Sequence, residues 1–406
     1  MKKISIVCCV SLVVCTSLAV RAEDADACRE RLASEVASRV AARTAFAEKG
    51  RSAAKAVEPV GVRTERWTEV WPKTEADISK RRDAQLVTNA VEGEVWSDAF
   101  DAALAKYGAI RIPAREKPYY IDRPLVLSSG QTVVATGAEI RLKPNTGLCM
   151  LRNRTVVGMT DQKSLRIPDV PYDAGITVVG GVWYGLKTAH MALNGNGRGD
   201  CAKKGNVHGC YGAFVFNHVD GLVLEDVKVG GCQTHALQLS DVHHFKVRDI
   251  EMKAPARDGV HVHGGCDWGW VDGVTGVTYD DFVALNAWDW ANTSPVVGPI
   301  HHVLVERVVG REGGTRDIRL LPGNRRRKDG SGTTLGCEMH DIVLRKLTDI
   351  HDLKVYDQPN LEMGRDNDKS EPIGTLSRIY VSDLVLSKRS KPCCIEIDDH
   401  VDGFDI

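Results

Sequence analysis

A spacing of 23 residues constrains this chain more than any other feature. Short apolar segments centred on Phe214, Leu237, Val260 and Val283 follow one another at that interval, and the series continues at Ile318, Val355 and Ile395. A second series interleaves with it, centred on Val227, Ile250, Val274, Val308, Leu347 and Leu384. From each second segment to the next first segment the steps are 10, 10, 9, 10, 8 and 11 residues; from first to second they are 13, 13, 14, 25, 29 and 29. A unit this short cannot bury its apolar face alone, so its copies must stack. Short β-branched and aromatic runs punctuated by turns read as strands. The chain is therefore expected to be all-β, a parallel β-helix with strands about 4.8 Å apart along its axis. All the inserted length falls in one turn of the later coils. Residues 287–300, 322–340 and 358–377 should then protrude from one edge, where a rigid scaffold commonly builds a binding site.

The first coil of such a stack needs a cap, or it exposes its core and an unpaired backbone edge. Val95–Tyr107 reads as a short amphipathic helix ahead of strands at Ala109–Pro113, Tyr119–Ile121, Leu125–Leu127, Thr132–Ala135 and Glu139–Leu142, and it is the expected cap. Upstream, Ala25–Val57 reads as one long helix with a thin apolar stripe (Val36, Val40, Ala41, Phe46), a solvated or loosely packed arm. Residues 58–93 read as irregular, with Trp67 and Trp71 packing down on the segments C-terminal to them. Residues 1–22 have the pattern of a secretory signal, with Lys2 and Lys3, an apolar run from Ile4 to Ala19, and Val20-Arg21-Ala22 before Glu23. The expected division is thus a signal at 1–22, a helical arm and linker at 23–93, and a β-helix over 94–406 whose C-terminal cap is missing. The expected location is secreted or periplasmic, and the protein a monomer.

Charge excludes one class of partner. The formal net charge of −1 becomes −4 once the signal's Lys2, Lys3 and Arg21 are set aside, which gives no case for nucleic-acid binding. No run after the signal is long and apolar enough to span a bilayer. Of the 12 cysteines, Cys8, Cys9 and Cys15 belong to the signal; Cys201 and Cys210 bracket a Gly/Asn/Lys loop and are the expected disulfide. No C-x-x-C pair occurs, so a thiolate zinc site is not expected, and no metal or other cofactor is assigned.

Stacking in register lets positions be compared down the helix. Two residues before successive strand centres lie His235, Asp258, Asp281 and Arg316, with Asp280 one step earlier; one residue after lie Gln238, His261, Ala284 and Arg319; three after lie Ser240, His263, Asn286 and Leu321. These outward columns are expected to be solvated. Three carboxyls on two neighbouring coils suit cleavage of a glycosidic bond, where one protonated group serves the leaving oxygen and an ionised one activates water. Like charges held together force their titrations apart. Trp268, Trp270, Trp288 and Trp290 offer flat faces for sugar rings, Trp288 and Trp290 sharing one orientation.

The segments D-G-V-H-V at Asp258–Val262 and Y-D-D-F-V-A-L-N at Tyr279–Asn286 resemble the polygalacturonase-like family of glycoside hydrolases, which carries N-T-D and then G-D-D or Q-D-D one coil later. I-R-L at Ile318–Leu320 lies near that family's R-I-K motif. Arg257 stands where the family has Thr, Leu321 where it has Lys, and its G-H-G has no counterpart here. The resemblance implies the right-handed pectin-lyase-like β-helix. It implies Asp280 as general acid, Asp258 and Asp281 holding the attacking water, and inversion at the anomeric carbon. His235, His261, His263, Arg316, Arg319, Trp288 and Trp290 are the expected substrate-binding residues, the arginines favouring a uronate-containing polysaccharide. Two alternatives stay open: a calcium-dependent polysaccharide lyase using the aspartates as oxygen ligands, and a carbohydrate-binding β-helix without catalysis.

Overall fold

A computed structural model describes residues 17–73, 85–144, 146, 149–158, 170–185, 212–232, 235–255, 257–287, 296, 298–325, 335–356, 376–387, 394–398 and 401–405. The strands stack in parallel as coils of a right-handed β-helix. Phe214 pairs with Leu237, Leu237 with Val260, Val260 with Val283 and Val283 with Ile318, so one interior column runs through five coils. All five side chains are fully buried. The second series stacks likewise, with Ile250 against Val274, Val308 against Leu347 and Leu347 against Leu384.

One register differs from expectation. Ile318 pairs with Leu353, and Leu353 with Ile395; Val355 lies opposite Leu320. Leu353 and Val355 both face the core. Side chains alternate with period two, so a slip of two residues keeps the same face inward and leaves the apolar pattern unchanged.

A corner residue repeats too. Asp226, Asp249, Gly273, Arg307, Lys346 and Asp383 each follow a stacked strand position and take positive φ, 55, 51, 73, 53, 54 and 52°. A left-handed residue turns the strand without breaking the ladder, and short polar side chains tolerate it best after glycine.

The open end is closed by helix Ser97–Tyr107, whose Ala99, Phe100, Ala103 and Leu104 enter the core; Val95, expected to begin it, ends the preceding strand. The stretch expected to be irregular contains an antiparallel hairpin, Arg63–Pro72 against Leu86–Val95. Its Thr, Val and Trp positions are good strand formers that interspersed charges disguise. Trp67 and Trp71 do pack down, edge-on to Tyr120 at 4.7 Å and Tyr184 at 5.7 Å.

The N-terminal helix is two helices, α1 (Ser17–Thr44) and α2 (Phe46–Ala53), and α1 is not a solvated arm. Successive coils place Trp270, Leu304, Val343 and Tyr380 in one outward column. Leu32, Ala33, Val36 and Val40 of α1 cover it, together with Trp268. Salt bridges tie the ends, Arg43 to Asp220 at 3.1 Å and Glu30 to Arg345 at 2.9 Å. Thirteen helical rises span about 20 Å, and the four coil steps from Asp220 to Arg345 span about 19 Å. The helix is therefore matched to the stack it lies along.

The strands on either side of the three inserts are in register, so the inserts depart from one stacked edge and return at another. Most of their residues lie outside the described set. Within the second insert, Gly323–Arg325 pairs antiparallel with Leu335–Cys337. Among the described residues, Cys28, Cys149, Cys232, Cys266 and Cys337 are thiols rather than disulfides, and no helix is long and apolar enough to cross a membrane. Cys201 and Cys210 lie outside the described residues.

Candidate active site

The site is built where Val260–His263, Val283–Asn286 and Ile318–Leu321 stack. Residues just before each strand stay in the ladder: the amide of Ala236 donates to the Asp258 carbonyl and that of Gly259 to the Asp281 carbonyl, both at 2.9 Å. Asp258 and Asp281 thus occupy equivalent places one coil apart. With Asp280 they bring three carboxyl oxygens within 4.8 Å of one another.

The column expected to be solvated is instead buried. Asp258 is 3% exposed and Asp281 inaccessible, whereas the Asp280 side chain keeps 32% of its surface. The reason is side-chain size. At a coil spacing near 4.8 Å, large polar groups stack on one another and shield what lies between them. The His235 and His261 rings stack at 4.0 Å, and the 8% exposed Arg319 lies against the acids. Arg319 Nε lies 2.8 Å from Asp281 and its Nη2 3.8 Å from Asp280; Arg257 Nη1 donates to Asp280 at 3.1 Å. His261 Nδ1 donates to the Asp258 carboxylate in a short hydrogen bond.

Burial pushes the Asp281 carboxyl well above the usual carboxylate range, against the pull of Arg319. Burial and then the Asp280 charge raise Asp258, with His261 opposing. His235 is driven well below its ordinary range by burial and by the neighbouring His261 and His263. Carboxyls this close titrate as a unit, and the unit holds a proton more readily than a free carboxylate does.

The other expected residues separate into three groups. His235, His261 and His263 converge beside Asp258. Arg319 joins the acids, but Arg316 does not: its Nε and Nη2 donate to His351 Nε2 at 3.1 and 2.6 Å. Both arginines were expected to bind substrate, yet Arg316 precedes the strand Ile318–Leu321 and only Arg319, within it, shares the column of His261 and Ala284. Trp288 and Trp290 lie outside the described residues. Trp268 packs against α1 and Trp270 donates to Glu306 at 2.9 Å, so both serve the helix contact.

Several contributors escaped sequence reasoning. Arg257, which stands where the resembled motif has Thr and lies beside the coils carrying the acids, is a direct partner of Asp280. The amides of Asn286 and Gln238 contact His261 Nε2 at 3.3 Å and His263 Nε2 at 3.2 Å. A second ladder, His243–Asp267–His301–His340, runs down another face; the polar residues that recur beside the second series of strands, coil by coil, are the signal that finds it. Beside it Asp341 accepts three bonds of 2.6 Å, two from Arg378 and one from His340.

No protein-family model matches the chain, and no curated protein matches it. Among solved structures it is similar to the family 28 exopolygalacturonase of Yersinia enterocolitica, at 12% identity over 77% of this chain and 71% of that one, with a TM-score of 0.44. It is similar also to the catalytic domain of a GH87 α-1,3-glucanase in complex with nigerose, at 10% identity over 75% and 62% of the two chains, TM-score 0.38. A third is a tailspike mutant of E. coli bacteriophage HK620 in complex with a pentasaccharide, at 13% identity over 71% and 53%, TM-score 0.37. At such identities function has to be argued from the site itself.

Proposed function

We propose that the protein is a glycoside hydrolase that cleaves a uronate-containing polysaccharide with Asp258, Asp280 and Asp281 as its acid/base machinery. One observation carries the reading: three carboxyls from two adjacent coils meet within 4.8 Å, two of them buried. Geometry ranks before pKa in assigning the donor. Asp280, the exposed member, is the carboxyl that reaches a glycosidic oxygen, and the proton that burial holds in the cluster is delivered through it. Arg257 and Arg319, both within 4 Å of Asp280, supply the positive field that favours a uronate carboxylate. A secreted or periplasmic location suits a polysaccharide substrate.

The same trio could be read as oxygen ligands for calcium in a lyase. Calcium takes six to eight oxygens, and here Asp280 already accepts from Arg257 while Asp281 faces Arg319 at 2.8 Å. The test uses polyuronate and neutral glycans in parallel. New reducing ends without an ultraviolet-absorbing unsaturated product are expected, with Asp280→Asn lowering kcat by about 10²–10⁴-fold. An unsaturated product that requires calcium would establish the lyase, and no cleavage of any glycan would leave only binding.

A further inference from the structure

Three histidines beside the carboxyls are unexplained by acid/base cleavage. His235 opens the strand His235–Lys253, and His261 and His263 alternate along Val260–His263 one coil later. They are 5, 1 and 0% exposed, and one ring nitrogen from each lies within 4.8 Å of the others. The His261 ring stacks on His235 at 4.0 Å and meets His263 at 4.2 Å, tilted by 45°.

Their hydrogen bonds indicate where the lone pairs lie. The Asp258 carboxylate takes the proton of His261 Nδ1, which leaves a lone pair on Nε2. An amide nitrogen faces that Nε2, Asn286 Nδ2 at 3.3 Å, and another faces His263 Nε2, Gln238 Nε2 at 3.2 Å. Amide nitrogens donate, so both Nε2 atoms are acceptors. A carboxylate behind a histidine whose other nitrogen carries a lone pair is the outer-sphere arrangement that orients imidazole toward a metal.

We infer that His235, His261 and His263 form a binding site for a first-row transition-metal dication such as Zn²⁺, with Asp258 fixing His261 from behind. Imidazole donors select zinc, cobalt, nickel or copper over calcium and magnesium. Nitrogens about 2.0–2.1 Å from zinc stand about 3.3 Å apart in a tetrahedron, so rotations closing at most about 1.5 Å assemble the set. Two donors come from one strand and the third from its hydrogen-bonded neighbour, a rigid base. The other histidine group, His302, His340 and Asp341, is less suited, because Arg378 engages both Asp341 oxygens at 2.6 Å. The inference does not depend on glycan cleavage.

The test is calorimetric titration of the full chain, free of an oligohistidine tag and stripped with chelator, using ZnCl₂, CoCl₂ and CaCl₂ separately. One zinc site per chain is expected, with a Co²⁺ visible spectrum of tetrahedral type and no comparable response to calcium. His235→Ala, His261→Ala and His263→Ala should each weaken zinc by at least about tenfold, and Asp258→Asn by about 10–100-fold as an outer-sphere change. His340→Ala should leave it unchanged. Thermal unfolding guards against misfolded variants: zinc should raise Tm of the wild type and of His340→Ala but not of His263→Ala. Absence of saturable zinc binding to the wild type, binding indifferent to all three histidine substitutions, or binding lost in His340→Ala instead would each overturn the inference.

Discussion

Arg319 faces two carboxylates, Asp281 at 2.8 Å and Asp280 at 3.8 Å, while itself nearly buried. For stability the two acids are therefore partly interchangeable. Asp280→Asn removes a carboxylate about a third exposed and leaves the closer pair intact, so it should cost about 0–1 kcal/mol. Asp281→Asn removes a fully buried carboxyl whose ionisation burial opposes, so the lost pairing with Arg319 comes with relief of a desolvation penalty of several kcal/mol. Asp280 still offers Arg319 an attraction on the order of 4 kcal/mol at an effective dielectric near 20. Those terms offset, leaving a net change of about 1 kcal/mol or less. With both replaced, a buried guanidinium has neither carboxylate, and breaking a buried pair costs about 3–5 kcal/mol. The double variant should thus exceed the sum of the singles by about 2–3 kcal/mol. Urea unfolding of all four proteins at neutral pH measures this, with equal m-values as the check that the same structure unfolds. Additivity within about 0.5 kcal/mol, or a single Asp281→Asn as costly as the double, would refute the reasoning.

Other predictions address chemistry, pH and packing. Carboxyl oxygens within 4.8 Å are closer than the roughly 6.5–9.5 Å an inverting pair leaves for water, so NMR should show a first-formed product of retained anomeric configuration; an inverted product would exclude this spacing from the reactive complex. Burial opposes protonation of His243, but hydrogen bonds to Asp241 and Asp267 prevail and raise it to about 10. A raised folded value means stability present in full below the ordinary histidine range near 6.5 and lost as pH rises through about 10, so Tm should fall across that window more in the wild type than in His243→Gln. Val36→Asp places a charge in the contact of α1 with Leu304 and Val343 and should release the helix, read as faster tryptic cutting between Arg29 and Arg43; unchanged cutting would mean that the apolar column does not hold α1.

What the sequence determined by itself was the coil. A repeat that places Phe214, Leu237, Val260, Val283 and Ile318 at the same point of successive units leaves little freedom, because only in-register stacking buries all of them. From that register the meeting of Asp258 with Asp281, and of Ala284 with Arg319, results directly. Where the period carries no information, tertiary structure decided. Leu353 and Val355 face the same way, so only actual pairing selects between them. Arg316 and Arg319 look equivalent three residues apart, yet His351 captures the first and the acids the second. The apolar stripe of α1 looked too thin to dock because its partner is an outward column, Trp270, Leu304, Val343 and Tyr380, assembled from four coils up to 110 residues apart. Burial of the acids was hidden for the same reason: alternation tells which way a side chain points, but whether that direction meets water depends on the rings and guanidinium groups stacked above and below it.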